Sequence, residues 1–285
     1  MATEINTQSI ALPTEVAAEI IQKTQETSAV MRLARKTTVP GRGTTFPVIT
    51  GDPEASWVGE TEKAKVSRGT MSKKILTPYK LSVIVPFSDE FRSDLTMLYD
   101  ALVQRIPGAL GKKFDATVFG DGAAPGSNFD TMKACTAQEI GTDAYGGLVA
   151  ADADVADHDG ILNGYVLSPK AKSILLTATD KNGRPLFINS VAEGAIPMIL
   201  GQTTYMSKGA YIAGTPNVVG FAGDWTQAIY GVANDVTMSI SNQATITDGA
   251  GTINLFEQGM FAVKAEARVG FVCDTTVFNK LTKAN

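Results

Sequence analysis

The densest collection of groups able to do chemistry is Asp152-Ala-Asp154-Val-Ala-Asp157-His158-Asp159-Gly160, where carboxylates at short spacing flank the chain's single histidine. Oxygen ligands this close together suit a hard cation such as calcium. The spacing fails the twelve-residue calcium loop, because no glutamate stands where the closing bidentate ligand belongs, and the run reads as a solvated helix face or turn. A single imidazole also excludes sites that need several. Gly120-Asp-Gly-Ala-Ala-Pro-Gly126 looks like a phosphate-cradling turn but follows a predicted helix instead of a strand and satisfies neither nucleotide-binding glycine pattern. It is expected to end that helix. Cys135 and Cys273 lie in unrelated segments without CxxC spacing, so neither a disulfide framework nor a zinc site is indicated, and reduced thiols of an intracellular protein are expected. No Gly-x-Ser-x-Gly elbow occurs. The expectation is a chain without catalytic residues, metal or cofactor.

Composition points the same way. The chain has 285 residues, 44% of them hydrophobic, enough for a sizeable core in one elongated or two modest domains. Charged residues make up only 19%, which fits surface hidden in subunit contacts. Net charge is −4 and Lys and Arg form no block, so the electrostatic footprint of a sequence-reading nucleic-acid binder is missing. The start, Met1-Ala-Thr-Glu-Ile-Asn6, lacks the basic and apolar regions of a signal peptide, and no apolar run has membrane-spanning length. No membrane partner is expected.

The elements follow from periodicity. Thr14–Thr27 reads as a short amphipathic helix with Val16, Ile20 and Ile21 as its stripe, inside a terminal arm. Tyr79, Leu81, Val83, Val85 and Phe87 alternate with Lys80, Ser82, Ile84 and Pro86, which predicts a half-buried strand. Ser88 can then cap a long helix carrying Asp89 and Glu90 in its first turn. Its stripe is Phe91, Leu95, Leu98, Leu102, Ile106, Leu110, Phe114 and Val118, with a kink expected at Pro107-Gly108 and Gly111. Val236, Met238 and Ile240 mark another strand. Phe261, Val263, Ala265, Ala267, Val269 and Phe271 face one way along a last alternating strand, and Lys264, Glu266 and Arg268 the other.

The segment from Gly51 to Leu76 is different. Thr61, Glu62, Lys63, Lys65, Ser67 and Arg68 are polar, and Trp57, Val58 and Val66 are its only large hydrophobes before Met71. A hairpin over this stretch has arms of about 40 Å, against a radius of gyration of about 19 Å for a compact chain of this length. An arm as long as the body is wide, with so little to bury, is expected to meet its partner on another subunit. Trp57 is either a local packing anchor or an aromatic lodged in an interface.

Several phrases in this order resemble the major capsid proteins of tailed bacteriophages, which have the Hong Kong 97-type fold. They are Ala55-Ser-Trp-Val-Gly-Glu60, Leu81-Ser-Val-Ile-Val-Pro-Phe-Ser-Asp-Glu-Phe91, Phe119-Gly-Asp-Gly122, Asp180-Lys-Asn-Gly-Arg-Pro-Leu186, Gly223-Asp-Trp-Thr-Gln-Ala228 and Glu266-Ala-Arg-Val-Gly-Phe271. The ordered set carries the resemblance, since no single phrase is specific. It implies an α+β subunit with an N-terminal arm (1–44), an E-loop hairpin (45–78), a P-domain with a strand and long spine helix (79–125), an A-domain (126–221) and a return to the P-domain (222–285). It further implies hexamers and pentamers in an icosahedral shell around double-stranded DNA, assembled in the host cytoplasm, with portal, scaffold and decoration proteins as partners. A shell around DNA need not bind it tightly. Trp57, Glu60, Lys63, Lys65 and Arg68 are the expected E-loop contacts between subunits.

Some members of that family weld subunits by an isopeptide bond between an E-loop Lys and a P-domain Asn, with a Glu as base. Alignment on Glu266 puts Gly259 where the Asn would stand, so a non-covalent shell is expected even though Lys63 or Lys65 could supply an amine. An encapsulin-like nanocompartment around cargo enzymes is the alternative with the same fold. An intracellular hydrolase or sugar-binding α/β enzyme is the alternative of another class, and no catalytic constellation supports it.

Overall fold

The two segments with the cleanest alternation pair with each other. In the computed structural model, which describes residues 23–41, 43–51, 57–59, 63, 66, 70–90, 95–179, 182–187, 198–248 and 251–284, Phe87 stands opposite Phe261, Val85 opposite Val263, Val83 opposite Ala265 and Leu81 opposite Ala267. Facing apolar residues on one side of an antiparallel pair fix its register, because a slip of one residue would turn every one of them to the other face.

In chain order the strands begin with β1 (Arg35–Thr38), β2 (Thr44–Gly51), β3 (Thr70–Leu76), β4 (Tyr79–Ser88), β5 (Thr136–Glu139), β6 (Gly164–Leu167) and β7 (Met198–Ile199). They continue as β8 (Gln202–Met206), β9 (Asn217–Gly223), β10 (Ala228–Ser241), β11 (Thr245–Asp248), β12 (Gly251–Asn254), β13 (Met260–Cys273) and β14 (Phe278–Lys283). The helices are α1 (Ala29–Leu33), α2 (Leu95–Phe119), α3 (Ala144–Asp157) and α4 (Pro169–Thr177), with residues 23–27 helical just before α1. The remainder of the helix expected from Thr14, and Phe91, lie outside the described residues.

A four-stranded sheet runs β1-β10-β13-β4 and a six-stranded sheet runs β5-β14-β9-β6-β8-β7. The long helix packs on the first of these. Ile106, Leu110, Phe114 and Val118 are buried as their spacing predicted, and the Phe114 ring meets Phe129 and Phe271 edge-on at 6.3 Å. Twenty-five residues make α2 about 37 Å long. Pro107 lies inside it without ending it. Ser88 accepts from the Glu90 N–H at 3.4 Å, but Asp89 and Glu90 lie in a 3₁₀ turn and the helix itself runs from Leu95, so Ser88 is not its expected cap. Gly120 closes the far end at φ +92°.

Two of the chain's crossings between the sheets, from β9 to β10 and from β13 to β14, lie side by side. Both crossings use the same phrase, Asp-x-Thr. Asp224 accepts from the Thr226 N–H at 2.9 Å and hydroxyl at 2.6 Å, and Asp274 accepts from the same groups of Thr276 at 3.1 and 2.8 Å. Short polar side chains that satisfy backbone donors locally stabilise tight turns. Trp225, buried beside the first crossing, donates to the Gly164 carbonyl at 3.1 Å and meets Phe278 of the second crossing edge-on. One apolar cluster containing Phe114, Trp225, Phe271 and Phe278 spans both sheets.

Candidate functional site

The hairpin predicted to reach a neighbour is built from β2 and β3, paired antiparallel from Thr44↔Leu76 to Gly51↔Thr70. Its root is fixed to the body. Leu76 is fully buried with Val39 and Val272 in a small cluster of its own. Gly231 and Gly270 are cross-strand partners beneath it. A Cβ at Gly231 would fall 2.7 Å from a Leu76 methyl, and one at Gly270 would fall 2.5 Å from the Thr77 carbonyl oxygen. The Lys74 ammonium lies 3.0 Å from Asp130 and donates to the Cys273 carbonyl at 2.5 Å. Asp130 also accepts from the Cys273 N–H at 3.2 Å. Asn128 donates to the Thr77 hydroxyl at 3.2 Å, which ties the exit of β3 to the loop after the long helix.

Beyond this root the described side chains of the hairpin lie in solvent. Trp57 is fully exposed, Val66 nearly so, and Lys63 is exposed. Within one subunit Trp57 is therefore not a packing anchor. Glu60, Lys65 and Arg68 lie outside the described residues.

A second polar patch lies on the outward face of β4 and β13. The Lys80 ammonium stands 2.7 Å from Glu266, and Lys264 also pairs with it. Lys264 first and Lys80 second hold the Glu266 carboxyl below the ordinary carboxylate range. A carboxylate so held is a poor proton acceptor. Gly259 sits in the turn before β13 at φ +59°, with its carbonyl accepting from the Asp89 N–H at 2.9 Å. Six residues of strand lie between it and Glu266, a separation of about 23 Å at the usual rise. One chain does not bring the two positions together.

The terminal arm docks through a buried carboxylate that sequence reasoning missed. Asp115 on α2 accepts from the Ser28 hydroxyl at 2.5 Å and from the Ala29 and Val30 N–H groups at 3.0 and 3.4 Å. The Ser207 hydroxyl donates to it at 3.3 Å from the other sheet's side. Ser28 in turn caps α1 by accepting from the Met31 N–H at 3.1 Å. Three separate parts of the chain thus meet on one side chain. Burial outweighs the four donors and raises the Asp115 pKa from 3.8 to about 6.

The groups that first suggested chemistry are dispersed. Asp152, Asp154 and Asp157 lie on α3, and His158 caps its end with Nδ1 2.7 Å from the Asp154 carbonyl. Among the described residues no cluster of three metal-ligating side chains occurs. Both cysteines are buried and free, and burial pushes the Cys135 thiol up to about 12 and Cys273 well above its usual value. Neither supplies a thiolate near neutral pH. Among the described residues no helix is long and apolar enough to cross a membrane.

Residues 8–276 match the sequence model of the phage capsid family. The chain is 28% identical to a "probable major capsid protein" of Mycobacterium phage L5, over 96% of this chain and 90% of that protein. It is 26% identical to a "major capsid protein" of Staphylococcus phage 80alpha, over 96% and 85%. Among solved structures, one from Gordonia phage Cozz superposes with a TM-score of 0.73 at 23% identity, covering 90% of this chain and 87% of that one.

Proposed function

Because this chain belongs to the phage capsid family and is a major capsid protein of a tailed phage, we propose that its shell closes through non-covalent contacts of the hairpin and the terminal arm. The observation that carries this is the contrast along one hairpin: a root locked by Leu76 and Lys74, and a Trp57 left wholly in water. An exposed tryptophan on a rigidly rooted arm is a contact waiting for a second copy. Contacts of this kind are head-to-tail, and rings close when the rotation between copies allows it.

The parts then divide as an arm over 1–44, an E-loop over 45–78, a P-domain strand and spine helix over 79–125, an A-domain over 126–221 and a return over 222–285. Hexamers and pentamers of this subunit enclose DNA without reading its sequence, in the host cytoplasm, with portal, scaffold and decoration proteins joining them. The chain works by assembly, without catalysis. The absence of a weld follows from Gly259, which offers no amide to attack, and from Glu266, whose carboxyl already serves two lysines. Denaturing electrophoresis of purified particles is expected to give one band at the monomer mass; a ladder of covalent multimers would contradict the non-covalent shell.

A further inference from the structure

A cavity of about 190 Å³ opens between β4 and α2, walled by Tyr79, Leu81, Phe114 and Phe129, with Lys80 and Lys113 beside them. Both lysines are exposed, so an apolar recess opens to solvent past two ammonium groups. We propose that this recess receives Trp57 of a neighbouring subunit, a specific contact that rests on the capsid reading and deepens it.

Three observations choose this occupant. First, Trp57 is the most exposed aromatic among the described residues, ahead of Phe256 at 77%, and an indole needs apolar walls and aromatic edges such as those of Tyr79 and Phe129. Second, the charges match. Residues 52–62 contain Asp52, Glu54, Glu60 and Glu62 and no Lys or Arg, so the chain on either side of Trp57 is acidic as far as Lys63, and the recess meets it with Lys113 and with Lys80, which also pairs with Glu266. Charge complementarity of this kind steers encounter and sets orientation.

The third observation is spatial. Tyr79, Lys80 and Leu81 follow Leu76 after only Thr77 and Pro78, so the recess lies at the root of the subunit's own hairpin. The seven residues of β3 carry the far end of the stem about 20 Å from that root. Trp57 follows the far end of that stem in sequence, and its full exposure shows that it does not occupy the socket of its own chain. A plug at one end and a socket at the other define a head-to-tail contact, the kind that builds rings.

The test reads tryptophan emission of the wild-type protein before and after assembly. The chain has two tryptophans, and Trp225 is already buried at 2% exposure, so a change on assembly reports Trp57. A shift to shorter wavelength is expected, smaller or absent in Lys113→Glu. A Trp57→Cys, Thr117→Cys double variant, assembled under reduction and then oxidised, is expected to give a disulfide-linked ladder that neither single variant gives. Shells with unshifted emission and no ladder would overturn the docking while leaving the capsid function standing. Failure of the wild-type chain to form shells with its assembly partners would instead count against the function itself. Should the double variant not assemble, the wild-type emission still decides.

Discussion

Gly231 and Gly270 stand opposite each other across β10 and β13, and the side chain of Leu76 occupies the space that their missing side chains leave. The hairpin therefore leaves the body at a point where two strands have been stripped of side chains to let it in. Its direction is set by this packing and by Lys74, before any neighbour arrives.

An alanine at either glycine is expected to lift Leu76 from its seat. At Gly231 the new Cβ would lie 2.5 Å from Val39 Cγ2, and at Gly270 the obstacle is backbone. Overpacking of this kind costs about 1–3 kcal/mol, and Leu76→Ala about 2–5 kcal/mol through the void it opens. Urea unfolding of the unassembled subunit measures both, and unchanged midpoints would refute the slot.

Asp115 gives the subunit a definite pH response. Its folded pKa is raised to about 6 from 3.8, so the folded chain holds the proton more tightly than the unfolded one. The resulting stabilisation is complete below about pH 4 and is lost as the pH rises through about 6. Its size is on the order of 3 kcal/mol from a shift of about two units. Asp115→Asn should flatten this part of the stability profile, and a variant profile parallel to wild type would show that Asp115 does not titrate there.

At the crossing between sheets, Asp224 also accepts from the Asn163 amide at 2.8 Å and the Ile161 N–H at 3.3 Å, besides its two bonds to Thr226. Asp224→Ala removes a buried acceptor from the partly buried donors of Ile161, Asn163 and Thr226 and is expected to cost about 1–3 kcal/mol. The more exposed Asp274→Ala should cost less. Equal losses in thermal unfolding would mean that burial does not distinguish the two turns.

Gly259→Asn restores the amide side chain at a left-handed position that asparagine tolerates. No covalent multimers are expected from particles of this variant, because Glu266 remains paired with Lys80 and Lys264. A ladder on a denaturing gel would show that the missing amide alone blocks the weld.

Alternation made the strands β4 and β13 legible, four-residue spacing gave the buried positions Ile106, Leu110, Phe114 and Val118 of α2, and a long polar stretch marked the hairpin of β2 and β3. That β4 pairs with β13 was not written in either strand. Other long-range placements were not legible either. Asp115 sits one residue after Phe114 in the helix, and nothing in its neighbours announces that Ser28 and Ser207, distant in sequence, converge on it. Gly231 and Gly270 carried a readable hint, since a glycine inside an apolar strand often marks a close approach, but which residue approaches depends on the sheet order. The repeated Asp-x-Thr at 224–226 and 274–276 was visible as text, and only the sheet topology shows that both mark the same kind of crossing.

The most direct test of the central claim is electron microscopy of the protein expressed alone and together with the assembly proteins of its phage, with extracted nucleic acid quantified in parallel. Closed polyhedral shells that come apart to a single monomer band under denaturation are the predicted result. Uniform monomers under both conditions would contradict it, and shells filled with protein cargo would point to a nanocompartment in place of a virion.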